Sequence, residues 1–309
     1  KQLLQQTNLP ITDIAFASGF NSIRRFNDAF KKTVQLTPSE IRKTTDIDDE
    51  RIRLFLSVRP PFNWQAMLTF LSKRVLNPME WVRGNEYGRT FKYKECKGQF
   101  SVSFDEQKQG FWVTITLDNW QHLHSVVANI RRVFDMDADS QAINEQISHA
   151  VGAAFTVAEG LRLPGIWSPY EAGIRAVLGQ QVSVGAARDL CALLVANLGE
   201  QGKYFPTAQS IANDSLDFFK MPSRRKQALK DLSAFALEYP DADLDEWLKI
   251  KGIGPWTVDY AKMRGCSEPD IYLGGDLGVK KALGSSSAVD VSQASPFRSY
   301  LTFQLWQQL

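Results

Sequence analysis

Two glycines flank one apolar residue in Lys251-Gly252-Ile253-Gly254-Pro255-Trp256, and an isolated carboxylate, Asp276, follows behind Gly274-Gly275. Glycine allows a positive φ and leaves the backbone bare. Pro255 sits at the start of a helical pattern, so backbone N–H groups there can reach a phosphate at close range, helped by the helix dipole. Lys251, Gly252, Ile253 and Gly254 are therefore the candidate backbone-anchoring turn. Asp276 heads the short helical pattern Leu277 to Leu283. That position suits an N-cap, and it also favours an ionised carboxylate. An ionised carboxylate can stabilise positive charge developing on a substrate and can orient an attacking water. A serine–histidine–aspartate arrangement has no support. The three histidines, His122, His124 and His149, lie well upstream. Their number and spacing argue against zinc, and helix positions facing solvent suit them better.

The elements that must position these residues are legible from period and punctuation. Residues 1–43 read as a helix-turn-helix. Ile11, Ile14 and Ala15 share one helical face, Gly19 stands at a C′ position, and Asn21 or Ser22 can cap the next helix. There Ile23, Phe26 and Phe30 are expected to face inward, with Arg24, Arg25, Asn27 and Lys31 facing out. Thr37-Pro38-Ser39-Glu40 reads as a capping box with Pro at N1. Residues 44–51 are polar and acidic and read as a linker. Ile52, Leu54, Leu56 and Val58 alternate as a half-buried strand, which Pro60-Pro61 ends. Helix spacing follows from Trp64 to Val75. Strand-like runs lie near Thr90–Tyr93, Gln99–Phe104 and Phe111–Leu117, and Leu123 to Phe134 returns to helix spacing. Residues 52–136 thus form a small antiparallel sheet with two helices. From 137 to 309 the period is helical throughout, and Pro169, Pro206, Pro222 and Pro255 each fall near a helix start.

Bulk properties set outer bounds. A chain of 309 residues fits two or three domains, and 44% apolar residues suffice for packed cores. No apolar run approaches the roughly 18–20 residues of a membrane span. The first residues look like a helix fragment rather than a secretory leader; without an initiator Met, the chain is expected to begin inside a longer protein. Cys96, Cys191 and Cys266 are far apart, which reads as reduced cytosolic thiols in buried positions. Their spacing rules out a local four-cysteine iron–sulfur site. The net charge is only +2, so composition alone does not point to nucleic acid. Each basic pair, such as Arg131-Arg132 or Lys280-Lys281, is better read as a solvated helix face.

Several motifs together resemble a known family. Leu248–Gly254 looks like the hairpin of the helix-hairpin-helix DNA glycosylases, and Asp276 falls where that superfamily keeps its catalytic aspartate. Arg162-Leu163-Pro164-Gly165, Arg175-Ala176-Val177-Leu178-Gly179-Gln180-Gln181-Val182-Ser183-Val184, Pro296-Phe297-Arg298-Ser299-Tyr300 and Trp306 are similar to the AlkA-type 3-methyladenine DNA glycosylase II branch. Residues 1–43 look like the second helix-turn-helix of AraC-type regulators, without the first half of such a domain. The adaptive-response alkylation proteins join the two modules. The fold class implied is mainly α: a helical helix-hairpin-helix glycosylase region, a small α+β N-terminal domain shaped like half of a TATA-binding protein, and a partial helix-turn-helix.

The resemblance implies a mechanism and a set of roles. An N-alkylated purine such as 3-methyladenine or 7-methylguanine is cationic and already a good leaving group. Its loss proceeds towards an oxocarbenium-like sugar, which one carboxylate can stabilise. The base must leave the duplex to be reached, and electron-rich aromatic walls suit a flipped cation. Trp256 and Trp306 look like those walls, with Tyr260 as a further candidate. Bifunctional relatives carry a Schiff-base lysine where Trp256 stands, so lyase activity is disfavoured. The family fills the vacated stack with the residue after Gly-Gln, here Gln181, while Gln180 packs. No cofactor is required, although the resemblance adds a monovalent cation, sodium or potassium, on the carbonyls of Leu248, Ile250 and Ile253. No transition-metal site is expected. The expected partner is double-stranded DNA containing alkylated bases. The protein is expected to be a monomer in the bacterial cytoplasm, associated with the nucleoid and not with a membrane.

Three rival readings remain. The helix-turn-helix could make the protein a sequence-specific transcription regulator of the alkylation response. The hairpin could belong to a non-catalytic DNA-structure protein, against which Asp276 and the aromatic pair argue. A sibling glycosylase for oxidised or mismatched bases is disfavoured by Trp256 and by the missing iron–sulfur cysteines.

Overall fold

A computed structural model describes residues 1–7, 9–42, 51–284 and 289–309. The expected linker, 44–51, lies outside the described residues apart from Arg51. The chain divides into two compact units, one of residues 1–58 and 80–131 and the other of residues 59–79 and 132–309.

In the first unit, four short helices open the chain: α1 (Gln2–Gln6), α2 (Ile11–Ala17), α3 (Ile23–Val34) and α4 (Pro38–Ile41). Gly19 takes φ +84° after α2, the left-handed geometry that lets a helix end sharply. Ser22 caps α3 through Arg25 N–H, and the Thr37–Glu40 capping box forms with Pro38 inside it. Phe26 and Phe30 are buried as their spacing requires, but Ile23 is 39% exposed. As the first residue of α3, Ile23 lies at the end of the apolar stripe rather than within it. α1 lies against β1 (Ile52–Ser57), and α2 against the single turn Trp120–His122.

The sheet of this unit is wholly antiparallel, in the order β1-β5-β4-β3-β2. Its other strands are β2 (Glu80–Arg83), β3 (Glu86–Tyr93), β4 (Cys96–Asp105) and β5 (Gly110–Leu117). Alternation sorts the faces: Leu54, Leu56, Val102, Val113 and Ile115 are buried, and Arg53, Gln99 and Thr114 are not. The short strand β2 carries no alternating signal and is found only in the structure. Leu123, Val126 and Ile130 of α6 (Leu123–Val133) are buried at helical spacing.

The second unit is helical. It contains α5 (Trp64–Ser72), α7 (Ser140–Val151), α8 (Pro169–Gly179), α9 (Val184–Leu198), α10 (Ala208–Asn213), α11 (Ser223–Glu238), α12 (Pro255–Ala261), α13 (Leu277–Leu283) and α14 (Arg298–Gln307). Pro169 and Pro255 occupy first-turn positions, and Pro222 is the N-cap of α11. A single π turn, Lys262–Cys266, extends α12. One core gathers Val177 of α8, Leu194 of α9, Leu232 of α11 and Val258 of α12 around Trp247. Gly173 makes this fit possible, because a Cβ there would stand 2.6 Å from the Trp247 ring. A second core joins α5, α7 and α14 through Phe70, Ile147, Leu301 and Phe303.

Arg162 is fully buried and fans its guanidinium over the carbonyls of Arg59, Pro61, Asp135 and Ala138. The Arg162-Leu163-Pro164-Gly165 motif is thus a clamp on backbone. Cys96 and Cys191 are buried but Cys266 is exposed, because the π turn ends there at the surface. No helix among the described residues is long and apolar enough to cross a membrane.

Candidate active site

The hairpin begins where the turn Leu244–Lys249 gives way to Ile250. Ile250 and Ile253 are both buried, and the Ile253 amide donates to the Ile250 carbonyl at 3.0 Å. Two apolar side chains therefore pin a tight turn from below. Only one glycine needs its conformational freedom: Gly252 has φ +94°. Gly254 is extended, at φ −115°, and a Cβ there would meet nothing. The backbone at Gly254 is accordingly open to approach from outside. No carbonyl among the described residues accepts from the amides of Gly252, Gly254 or Trp256. These donors lie at the start of α12, where the helix dipole favours an anion. Lys251 is exposed, and Lys249 is paired with Glu246.

Asp276 stands at the start of α13 and accepts from Val279 N–H at 3.1 Å, so it caps that helix. Both carboxylate oxygens also receive an indole N–H. Trp306 donates to Oδ1 at 3.0 Å and Trp256 to Oδ2 at 3.2 Å. Tyr260, one turn after Trp256, lies near both tryptophans, with ring centres 5.4 Å from Trp256 and 6.5 Å from Trp306. The structure therefore brings Asp276, Trp256, Tyr260 and Trp306 into one half-buried cluster.

Three members of the surroundings were not visible in the sequence. Phe70 of α5 stacks on Trp306, with centres 6.1 Å apart and planes at 16°. The Arg74 guanidinium lies over Phe70, 3.6 Å from the ring centre. Burial pulls the Arg74 pKa down to about 10; the charges of Tyr260 and Asp276 oppose that shift, while that of Arg264 adds to it. Arg264 comes from the π turn, and its guanidinium donates to the Tyr260 hydroxyl at 3.2 Å and to the Pro164 carbonyl. A π turn has no sequence signature, and α5 is remote in sequence from the hairpin. The only available signal was the Phe70–Arg74 spacing of one helical turn.

The loop carrying Asp276 is laced to α14. Arg298 holds Asp270 with two bonds, of 2.7 and 2.8 Å, and keeps that carboxyl below its usual range. Ser299 accepts from Ile271 N–H, and Thr302 from Leu273 N–H. These contacts explain why Pro296-Phe297-Arg298-Ser299-Tyr300 belongs with the site. A turn then closes from Asp276 N–H to the Leu273 carbonyl at 2.9 Å. Gly274 packs on the Tyr272 ring, which a Cβ would overlap at 2.7 Å.

Gln181 is exposed and has φ +58°, in the left-handed region. Its neighbour Gln180 is half-buried and donates to the Gly252 carbonyl at 3.1 Å and to the Thr257 hydroxyl at 3.2 Å. Among the described residues no group of three or more histidine, cysteine or acidic side chains is placed to hold a metal ion.

This scaffold defines a helix-hairpin-helix DNA glycosylase. It superimposes on the 3-methyladenine DNA-glycosylase from Archaeoglobus fulgidus with a TM-score of 0.65, at 16% identity, over 82% of this chain and 96% of that one. Residues 53–168 match the AlkA N-terminal domain, and residues 1–44 match a helix-turn-helix domain. The chain is 31% identical over 341 aligned residues to a probable bifunctional transcriptional activator/DNA repair enzyme AlkA of Mycobacterium tuberculosis, covering 99% of this chain and 68% of that protein. It is 29% identical to DNA-3-methyladenine glycosylase 2 of Escherichia coli, covering 81% of this chain and 95% of that one. The chain belongs to the AlkA family of DNA repair glycosylases.

Proposed function

We propose that the protein is a monofunctional glycosylase that flips alkylated purines, of the 3-methyladenine and 7-methylguanine type, out of duplex DNA and hydrolyses their N-glycosidic bond. The observation that carries this reading is the carboxylate of Asp276, held on both oxygens by the indole N–H groups of Trp256 and Trp306. The same two residues that offer aromatic faces to a cationic base fix the acid that must face the sugar. As the bond from C1′ to the base nitrogen breaks, its electron pair neutralises the base. Positive charge moves to the sugar, where Asp276 stabilises it. Water then bonds to C1′, and its proton passes to Asp276 or to solvent.

Trp256 is no nucleophile, so no imine forms at that position and the product is an intact abasic strand. The free amides of Gly252, Gly254 and Trp256 are assigned to a phosphate. Among the described residues, the carbonyls of Leu248 and Ile253 accept no backbone bond, and that of Ile250 accepts only one. These three oxygens are assigned to a sodium or potassium ion, which would add positive charge beside the phosphate. Gln181 is assigned to the gap left by the flipped base, and the protein acts as a monomer.

The test is release of free base from methylated duplex DNA, identified by chromatography. Release of 3-methyladenine or 7-methylguanine supports the reading. Release of only oxidised or mismatched bases from matching substrates would refute it. The second reading, a sequence-specific transcription regulator, is favoured by the exposed face of α3, which presents Arg24, Arg25, Asn27 and Lys31. Footprinting on genomic duplexes tests for sequence-specific binding there.

A further inference from the structure

Gln180 uses both hydrogens of its side-chain amide to join parts of the protein that the sequence keeps far apart. One goes to the carbonyl of Gly252, the residue with φ +94° at the turn of the hairpin. The other goes to the buried hydroxyl of Thr257, which follows Trp256 on α12. Gln180 is itself the C-cap of α8, its amide returning to the Val177 carbonyl. The next residue is Gln181, exposed and in the left-handed region. A non-glycine residue holds that conformation when its surroundings over-determine it. Here the neighbouring Gln180 is tied at the backbone to α8 and at the side chain to the hairpin and α12.

We infer that Gln180 is a positioning residue that fixes the gap-filling Gln181 relative to the phosphate-anchoring hairpin and the wall of the base pocket. This rests on the proposed role of Gln181. A backbone phosphate held at the hairpin sets the height of the duplex, and Gln181 must meet the base stack at a matching height. The Gln180 carboxamide is a two-bond spacer between those two points. It touches neither base nor sugar and acts through Gln181. Its loss leaves the hairpin amides and Asp276 in place, but frees the wedge to move against them. The penalty should therefore fall on extrusion of a paired base and spare a base that is already unpaired.

The experiment compares single-turnover release of 7-methylguanine opposite cytosine with release opposite an abasic site, using Gln180→Ala, Thr257→Val and Gln181→Ala in the full chain. Two neutral hydrogen bonds correspond to about a tenfold to hundredfold effect. Gln180→Ala should lose that much on the paired lesion, and no more than about threefold on the unpaired one. Affinity for undamaged duplex should stay within about twofold of the parent. Thr257→Val removes one bond while keeping shape, and should show a smaller loss with the same dependence on pairing. It carries the test alone if Gln180→Ala does not fold. Equal losses on both substrates, or none on either, would overturn the inference. If Gln181→Ala loses activity selectively on the paired lesion while the other two variants do not, Gln180 alone is wrongly assigned. If Gln181→Ala is silent on both substrates, the wedge reading fails and the inference falls with it.

Discussion

Replacing Asp276 with Asn separates charge from shape at the centre of the site. Asp276 Oδ1 accepts from Val279 N–H and from the Trp306 indole, and Oδ2 from the Trp256 indole. An Asn with its oxygen in the Oδ1 position keeps the first two bonds. Its NH2 then faces the Trp256 N–H, so one bond is lost and two donors meet. Asn caps helices about as well as Asp, and the lost charge at the helix start is worth roughly 0.3–1 kcal/mol. One broken hydrogen bond adds about 1 kcal/mol. The stability cost is therefore on the order of 1–2 kcal/mol, and thermal melting should show a folded protein. The rate should suffer far more, because the charge facing the developing oxocarbenium is gone. Preorganised electrostatic groups of this kind are commonly worth roughly 10²–10³ in rate, about 2.7–4 kcal/mol. Single-turnover release from methylated duplex, with chromatography of the free base, measures that loss. Duplex affinity should hardly change, since the hairpin amides are separate from the carboxylate. Near-normal turnover by Asp276→Asn would remove the carboxylate from the mechanism.

Four further outcomes follow from the same geometry. Trp256→Ala or Trp306→Ala should impair excision of 3-methyladenine more than duplex affinity, by roughly 1–3 kcal/mol per lost stacking partner; equal losses in both assays would make these rings structural. Borohydride added to enzyme and substrate should trap no covalent adduct, and a trapped species seen by denaturing electrophoresis would identify another lysine as a nucleophile. Gly254→Asp should weaken binding to every duplex while leaving the fold intact, because a Cβ there meets nothing, whereas Lys251→Ala should cost much less. Titration at fixed salt decides between them, and a larger effect at Lys251 would mean an ordinary basic patch. Burial raises the Asp135 carboxyl to about 6, against bonds from Leu163 N–H and the Tyr300 hydroxyl. Its contribution to stability is present below the unfolded value near 4 and is lost as pH rises through about 6. Asp135→Asn can keep both accepted bonds and should flatten the fall in melting temperature between about pH 4 and pH 6.

Much of this protein is written locally. The capping box at Thr37, the N-cap at Asp276, the helix starts at Pro169 and Pro255 and the alternation of β1 and β5 all depend on residues within a turn or two of one another. Local backbone chemistry decides such features, so they can be read in order along the chain. The hairpin and its following acid were legible for the same reason. The tertiary structure decided what depends on distant pieces meeting. Ile23 has an apolar side chain, yet its place at the edge of the α3 stripe leaves it exposed, and Cys266 surfaces where a π turn ends. Strand β2 exists because β3 offers an edge to pair with, not because Glu80–Arg83 alternates. Phe70 and Arg74 reach the aromatic cluster because α5 packs with α7 and α14 in the second unit. The Gln180 amide finds Gly252 and Thr257 only when α8 lies beside the hairpin. Sequence by itself determined which residue types and helix ends were on offer, because those follow from short-range sterics and hydrogen bonding. Which side chains share the space around Asp276 was decided by packing, because a contact across the core has no local signature in the chain.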